Sequence, residues 1–191
     1  MGAAGDSAVY GVKGRRGLDQ IVDDPESARE LVTYNWAVWD RFSRSLQRRG
    51  WLEATKEREI GHHSLKNTLV HILNVHEAWL VAIDQGRWGV FDEPGRQPDS
   101  IRSWSELARY RGRVAAAVRP WLESLTAREM RRRVRAPWMS GTYTVADSFL
   151  QATVEQAHHL GEVIAVYWQN EWTPPPMTWI ENTRQVRSRR G

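Results

Sequence analysis

Thr173-Pro174-Pro175-Pro176 is a stretch that no helix can cross, so the apolar periodicity before it must be completed between a box-like start at Thr144 and Asp147 and an end near Asn170. Three earlier segments share this helical character. Asp24 can cap a helix with Pro25 in its first position and Glu26 and Glu30 near the positive end of its dipole. That segment carries Leu31, Tyr34, Val38, Phe42 and Leu46 on one side, widened by Trp36 and Trp39, and runs to about Arg48 before Gly50 stops it. Ser64 caps a second helix, with Leu65, Leu69, Ile72, His76, Trp79 and Ile83 on one stripe, Lys66, Glu77 and Asp84 on the other, and Gly86 at its end. Ser103-Trp104-Ser105-Glu106 is a capping box for a third, expected to kink or end near Pro120 unless it runs a further turn through Leu122 and Leu125. Four amphipathic helices of roughly twenty residues, without hairpin-type alternation, predict an all-α four-helix bundle. The long connectors before the second and third helices leave its up-down order open.

The bundle is expected over residues 25–172, between an N-terminal arm over 1–24 and a Pro-rich, then basic, tail over 173–191. Gly89, Pro94, Gly95 and Pro98 make residues 87–100 irregular, and residues 126–143 read as a connector with a short extended piece. A chain of 191 residues, 41% of them hydrophobic, supports one domain with a sizeable core, in which the eleven tryptophans serve as packing residues. The absence of cysteine excludes disulfides, thiolate ligands and a cysteine nucleophile, so any thiol chemistry must import its thiol. No apolar run is long enough to span a bilayer and the first residues lack the apolar core of a secretory signal, so a soluble cytoplasmic protein without a membrane partner is expected. The net charge of +4 is concentrated in Arg131, Arg132, Arg133 and Arg135 and in Arg184, Arg187, Arg189 and Arg190. Neither run is interleaved with the aromatics or glycines of a nucleic-acid module, so both read as solvated surface rather than a nucleic-acid site.

Chemistry concentrates in Val154-Glu155-Gln156-Ala157-His158-His159-Leu160-Gly161-Glu162, within the last helix. Residues four apart share a face, so Glu155 with His159, or His158 with Glu162, can hold one cation. At about 100° per residue, Asp147, Gln151, His158, Glu162 and Gln169 fall on one wet arc, with Leu150, Ala157, Leu160, Ile164 and Trp168 opposite. Glu155 and His159 lie at the edge of the apolar arc, beside Ser148, Ala152, Val163 and Val166. They are either the inward metal pair or an ordinary helical side-chain pair. A bundle-core metal site draws on facing helices, and the second helix offers His76 in mid-stripe, where a satisfied core histidine is the commoner case, and His71 at its flank.

Leu69-Val70-His71-Ile72 followed by Trp79-Leu80, the Tyr34-Asn35-Trp36 region, and Glu155-x-x-x-His159-x-Gly161-Glu162 together resemble the DinB/YfiT-like metalloenzyme superfamily. The resemblance covers about residues 26–170 and implies the DinB-like bundle, often as a homodimer, with a divalent metal on His71, Glu155 and His159. Many members have histidine where this chain has Glu155. Glutamate there is similar to the mycothiol-dependent maleylpyruvate isomerase branch, whose site is of the His-Glu-His kind. Two imidazoles and one carboxylate with an open position suit zinc in a catalytic site, with nickel, iron or manganese as alternatives.

The leading expectation is thus a metal-dependent S-transferase or isomerase acting on a small-molecule substrate with an external low-molecular-weight thiol. An open metal site stabilises a thiolate. The alternatives are a metal-dependent hydrolase and a non-catalytic, stress-related metal-binding dimerisation module. Glu162 and Glu77 are candidate proton acceptors that the helical wheel places away from the site.

Overall fold

The computed structural model describes residues 24–82, 85 and 95–179. Residues 1–23 of the expected arm (1–24), Ile83, Asp84, the helix stop at Gly86, residues 87–94 of the expected irregular loop with Gly89 and Pro94, and the tail after Trp179 lie outside the described residues. Four long helices form a bundle. The first, α1 (Pro25–Gln47), begins where Asp24 accepts hydrogen bonds from the N–H groups of Glu26 and Ser27, and Pro25 stands in the first turn where no N–H is needed. A short helix that periodicity missed, α2 (Trp51–Thr55), follows Gly50, whose φ of 96° is a left-handed conformation that a side chain would strain. α3 (Leu65–Glu77) is capped by Ser64 and passes directly into a π-helical turn over Ala78–Ala82. Such a turn shifts the helical phase, so a stripe of constant period cannot be drawn through it, and all five of its residues are buried.

α4 (Trp104–Ser124) starts at the capping residue Ser103 and continues through Pro120 rather than ending there. The Glu106 carboxylate reaches back to the N–H of Arg102 (2.6 Å). Residues 126–143 fold into a one-turn helix, α5 (Ala127–Met130), and two antiparallel strands, β1 (Arg133–Val134) and β2 (Tyr143–Thr144). The last helix, α6 (Val145–Gln169), opens with a full capping box in which Thr144 and Asp147 exchange side-chain-to-backbone bonds.

Named contacts fix the helix directions. Asn35 donates to Thr153 Oγ1 (2.9 Å), and further along both helices Phe42 meets Tyr167, so α1 and α6 run parallel. Arg29, at the start of α1, donates to the carbonyls of Leu122 and Leu125 at the far end of α4, so that pair is antiparallel. α3 runs against α6, with His71 beside His159 and Trp79 beside Tyr143 just before α6 begins, so the order is up-down-down-up. α1 and α3 face each other across the core, where the Trp39 indole N–H reaches the Leu69 carbonyl (3.0 Å). Past α6, the Pro-rich segment turns back along α1. Arg41 donates to the Pro176 carbonyl (3.1 Å), and the Tyr34 hydroxyl donates to that of Met177 (2.5 Å).

Two expected faces are corrected. Lys66 and Glu77, assigned to a solvated stripe of the second helix, are buried, because α3 is enclosed by α4 and α6. Lys66 donates to the Pro98 carbonyl (2.7 Å), while Glu77 binds Arg96 and the Tyr110 hydroxyl. On α6 the apolar arc is rotated from its expected position. Leu150, Val154 and Trp168 are 42%, 60% and 68% exposed, whereas Gln156 and Ser148 are buried.

His76 is fully buried, and neither ring nitrogen meets a partner at hydrogen-bond geometry among the described residues. Burial, aided by the Arg111 charge and opposed by nearby Gln156, lowers its pKa to about 3. The unfolded chain therefore binds a proton near pH 6.5 that the folded chain refuses, and stability falls with pH below that point by up to about 1.4 kcal/mol per unit. His76→Met should remove this component. Urea titrations at pH 6.5 and pH 5 should differ by about 2 kcal/mol less in the variant than in the parent.

Candidate metal centre

Three elements bring imidazoles together. His71 projects from the middle of α3, buried His159 from the middle of α6, and His62 from the loop between α2 and α3. That loop folds on itself. The Arg58 N–H donates to the His63 carbonyl (2.7 Å), the His63 N–H to the Ile60 carbonyl (2.9 Å), and His63 adopts a left-handed φ of 62°. His62 thereby stacks on His71 with ring centroids 3.8 Å apart, and His159 stands roughly edge-on to both at 4.8 and 4.5 Å. One ring nitrogen from each of the three histidines lies within 4.8 Å of the others. Burial first, then the neighbouring imidazoles, lowers the pKa of His71 to about 4, and burial also lowers that of His62. Both rings are thus neutral near pH 7, the form that ligates metals.

The two nitrogens of His159 have different company. Nε2 lies 3.4 Å from Glu155 Oε2, and Nδ1 lies 3.1 Å from Glu162 Oε2. Gln151 donates to Glu155 Oε1 (2.7 Å) and so fixes that carboxylate. Glu162 also accepts from the Gly61 N–H (3.3 Å), tying α6 to the His62 loop. Burial alone would raise the Glu162 pKa, but the bonds from His159 and Gly61 outweigh it and hold it below the ordinary carboxylate value.

Of the residues singled out in the sequence, the structure juxtaposes His71 with His159 and His159 with Glu155. His76 stays in the core. Glu162, assigned to the wet arc, is half-buried and bonded to His159, whereas His158 is exposed as expected. Sequence reasoning missed His62, because loop residues carry no periodicity. Its only signal was the pair His62-His63 just before the helix cap Ser64.

Beside His71 and Glu155 opens a cavity of about 450 Å³. Val75, Ala78 and Trp79 form one wall, and Trp138 and Met139, from the connector between β1 and β2, form another.

A helical bundle with imidazoles converging from two facing helices and a loop has the architecture of a core metal site. The chain matches the family model of the DinB superfamily over residues 13–163, and it belongs to that superfamily. The superfamily is generally metal-binding, and the histidine cluster is the candidate site here. No curated protein matches the chain. None of the described helices is long and apolar enough to cross a membrane.

Proposed function

We propose that the chain is a metal-dependent, thiol-using transferase or isomerase whose cation is held by His71, Glu155 and His159, with His62 as a further donor. The donor chemistry fits. Neutral imidazoles and one carboxylate, without thiolate, suit zinc first and nickel, iron or manganese as well. The observation that carries the reading is the division of labour at His159: its Nδ1 is occupied by Glu162, which leaves Nε2 on the side of Glu155. A carboxylate on the far nitrogen fixes the tautomer and raises the basicity of the ligating one.

When bound, the cation would supply positive charge that favours the thiolate form of an incoming thiol over the thiol. The protein's own residues do the positioning. Glu162 keeps the proton of His159 on Nδ1, Gln151 holds Glu155, and the packed faces of α3 and α6 keep His71 and His159 edge to face. The lack of any cysteine supports a supplied thiol.

Glu162→Gln should weaken metal binding by about ten- to a hundredfold, the usual effect of losing an outer carboxylate, while leaving the fold intact. Competition with a chromophoric chelator reads this directly, and an unchanged affinity would mean that Glu162 does not orient the ligand. For the thiol itself, the cobalt-substituted protein should gain a sulfur-to-cobalt charge-transfer band in the near ultraviolet on adding its thiol. His159→Ala should abolish the band. Silence with mycothiol, bacillithiol, glutathione and coenzyme A alike would end the S-transferase reading and leave hydrolysis or a non-catalytic metal protein.

A further inference from the structure

The cavity beside the centre is chemically lopsided. At one end His71 and Glu155 present polar atoms, flanked by Asn74, which bonds the Tyr110 hydroxyl (2.5 Å), and by Gln151, which bonds Glu155. At the other end the surface is aromatic and aliphatic. Trp79 and Trp138 meet edge to face with centroids 6.0 Å apart, and Tyr143 meets Trp79 in the same way at 6.5 Å. Trp138 is nevertheless 51% exposed and Met139 37% exposed, so two large apolar side chains stand partly in solvent at the mouth. The π-helical turn helps to make this wall, because it carries both Ala78 and Trp79. No lysine or arginine is among the described residues that line the cavity, and Glu155 is the one carboxylate there. An anionic group at the aromatic end would lose water without gaining a cation among the described residues. A flat, uncharged body would gain ring contacts with Trp79 and Trp138 and cover the exposed indole. A volume of about 450 Å³ suits a small organic molecule.

We propose that this cavity is the substrate subsite of the centre, and that it takes an uncharged ligand with a flat aromatic body against Trp79 and Trp138 and one polar group toward His71 and Glu155. The assignment rests on the reading of the histidine cluster as the functional centre.

The test uses the full-length chain, with and without zinc, and three probes followed by ligand-observed NMR: naphthalene-2-methanol, cyclohexanemethanol and naphthalene-2-sulfonate. In the zinc-free protein, where coordination cannot favour the anion, naphthalene-2-methanol should bind at least tenfold more tightly than either of the others. Trp138→Ala should weaken it about tenfold with no change in zinc content or far-ultraviolet dichroism, and Trp138→Phe should restore most of the loss. Equal or tighter binding of the sulfonate, or Trp138→Ala binding like the parent, overturns the proposal. The centre is judged separately by the zinc content of His71→Ala. Loss of zinc there with no preference for the aromatic probe defeats the subsite alone, and retained zinc with the preference intact defeats the reading of the centre alone.

Discussion

His159→Ala should leave the purified protein with almost no bound divalent metal, the largest functional effect expected of any single substitution here. His159 is the one histidine that stands against all the other candidate groups: His62 and His71 meet its ring, Glu155 lies beside Nε2 and Glu162 beside Nδ1. Its removal deletes a donor and takes one partner from each of the carboxylates Glu155 and Glu162. His71→Ala should come close to the same result, because it removes the donor from the facing helix. Elemental analysis of protein purified without a histidine tag measures both, and full metal content in His159→Ala would dismiss the site. Glu155→Ala and His62→Ala then separate the two descriptions of the third donor. Greater loss in Glu155→Ala favours the His-Glu-His set read from the sequence, and greater loss in His62→Ala favours the three-imidazole cluster.

The largest effect on stability is expected at Glu77. Its side chain is only 5% exposed, and it receives Arg96 through two nitrogens at 2.9–3.0 Å and the Tyr110 hydroxyl at 2.9 Å. Burial, and then the Glu77 charge, push the Tyr110 pKa upward, which keeps that hydroxyl protonated as a donor. Glu77→Ala would take the Glu77 carboxylate from the half-buried Arg96 guanidinium and leave the Tyr110 hydroxyl with Asn74 as its acceptor. Breaking such a pair costs about 3–5 kcal/mol. In a chain of this size that loss lowers the melting temperature by on the order of 10 °C. Had Glu77 been the solvated residue that the helical stripe suggested, the change would be within about half a kcal/mol, so a calorimetric scan of this one variant decides between the two placements.

The fold was legible because its boundaries are local chemistry. Asp24, Ser64, Ser103 and Thr144 each accept from a backbone N–H in the first turn that follows, and each was readable from the few residues around it. Orientation around the helix axis was less legible, for a physical reason. The buried arc of α6 contains Ser148, Gln156 and His159, so a hydrophobicity-weighted wheel turns away from it and toward Leu150 and Trp168, which are exposed. Polar residues recruited to an interior site thus disguise the inward face of the helix that carries them. The π-helical turn at Ala78–Ala82 was hidden for a similar reason, since a stripe drawn at constant period through Ile72, His76, Trp79 and Ile83 cannot register a change of phase. His62 depends on a turn whose geometry is set by the packing of residues far apart in the chain. No short-range pattern reports it.

Glu162 makes one carboxylate serve two masters: one oxygen holds the imidazole of His159, and the other holds the backbone of Gly61, next to His62. A Cβ on Gly61 would come within 2.9 Å of that second oxygen, so even a methyl group there would push the carboxylate aside. Were a cation held by the cluster, its occupancy and the order of this loop would be linked, and linkage is reciprocal. A cation that orders the imidazoles lowers the free energy of the closed loop by the same amount that closure tightens the cation. A cation held there would thus be bound more tightly with the loop closed than with it open, by the same factor with which it favours closure.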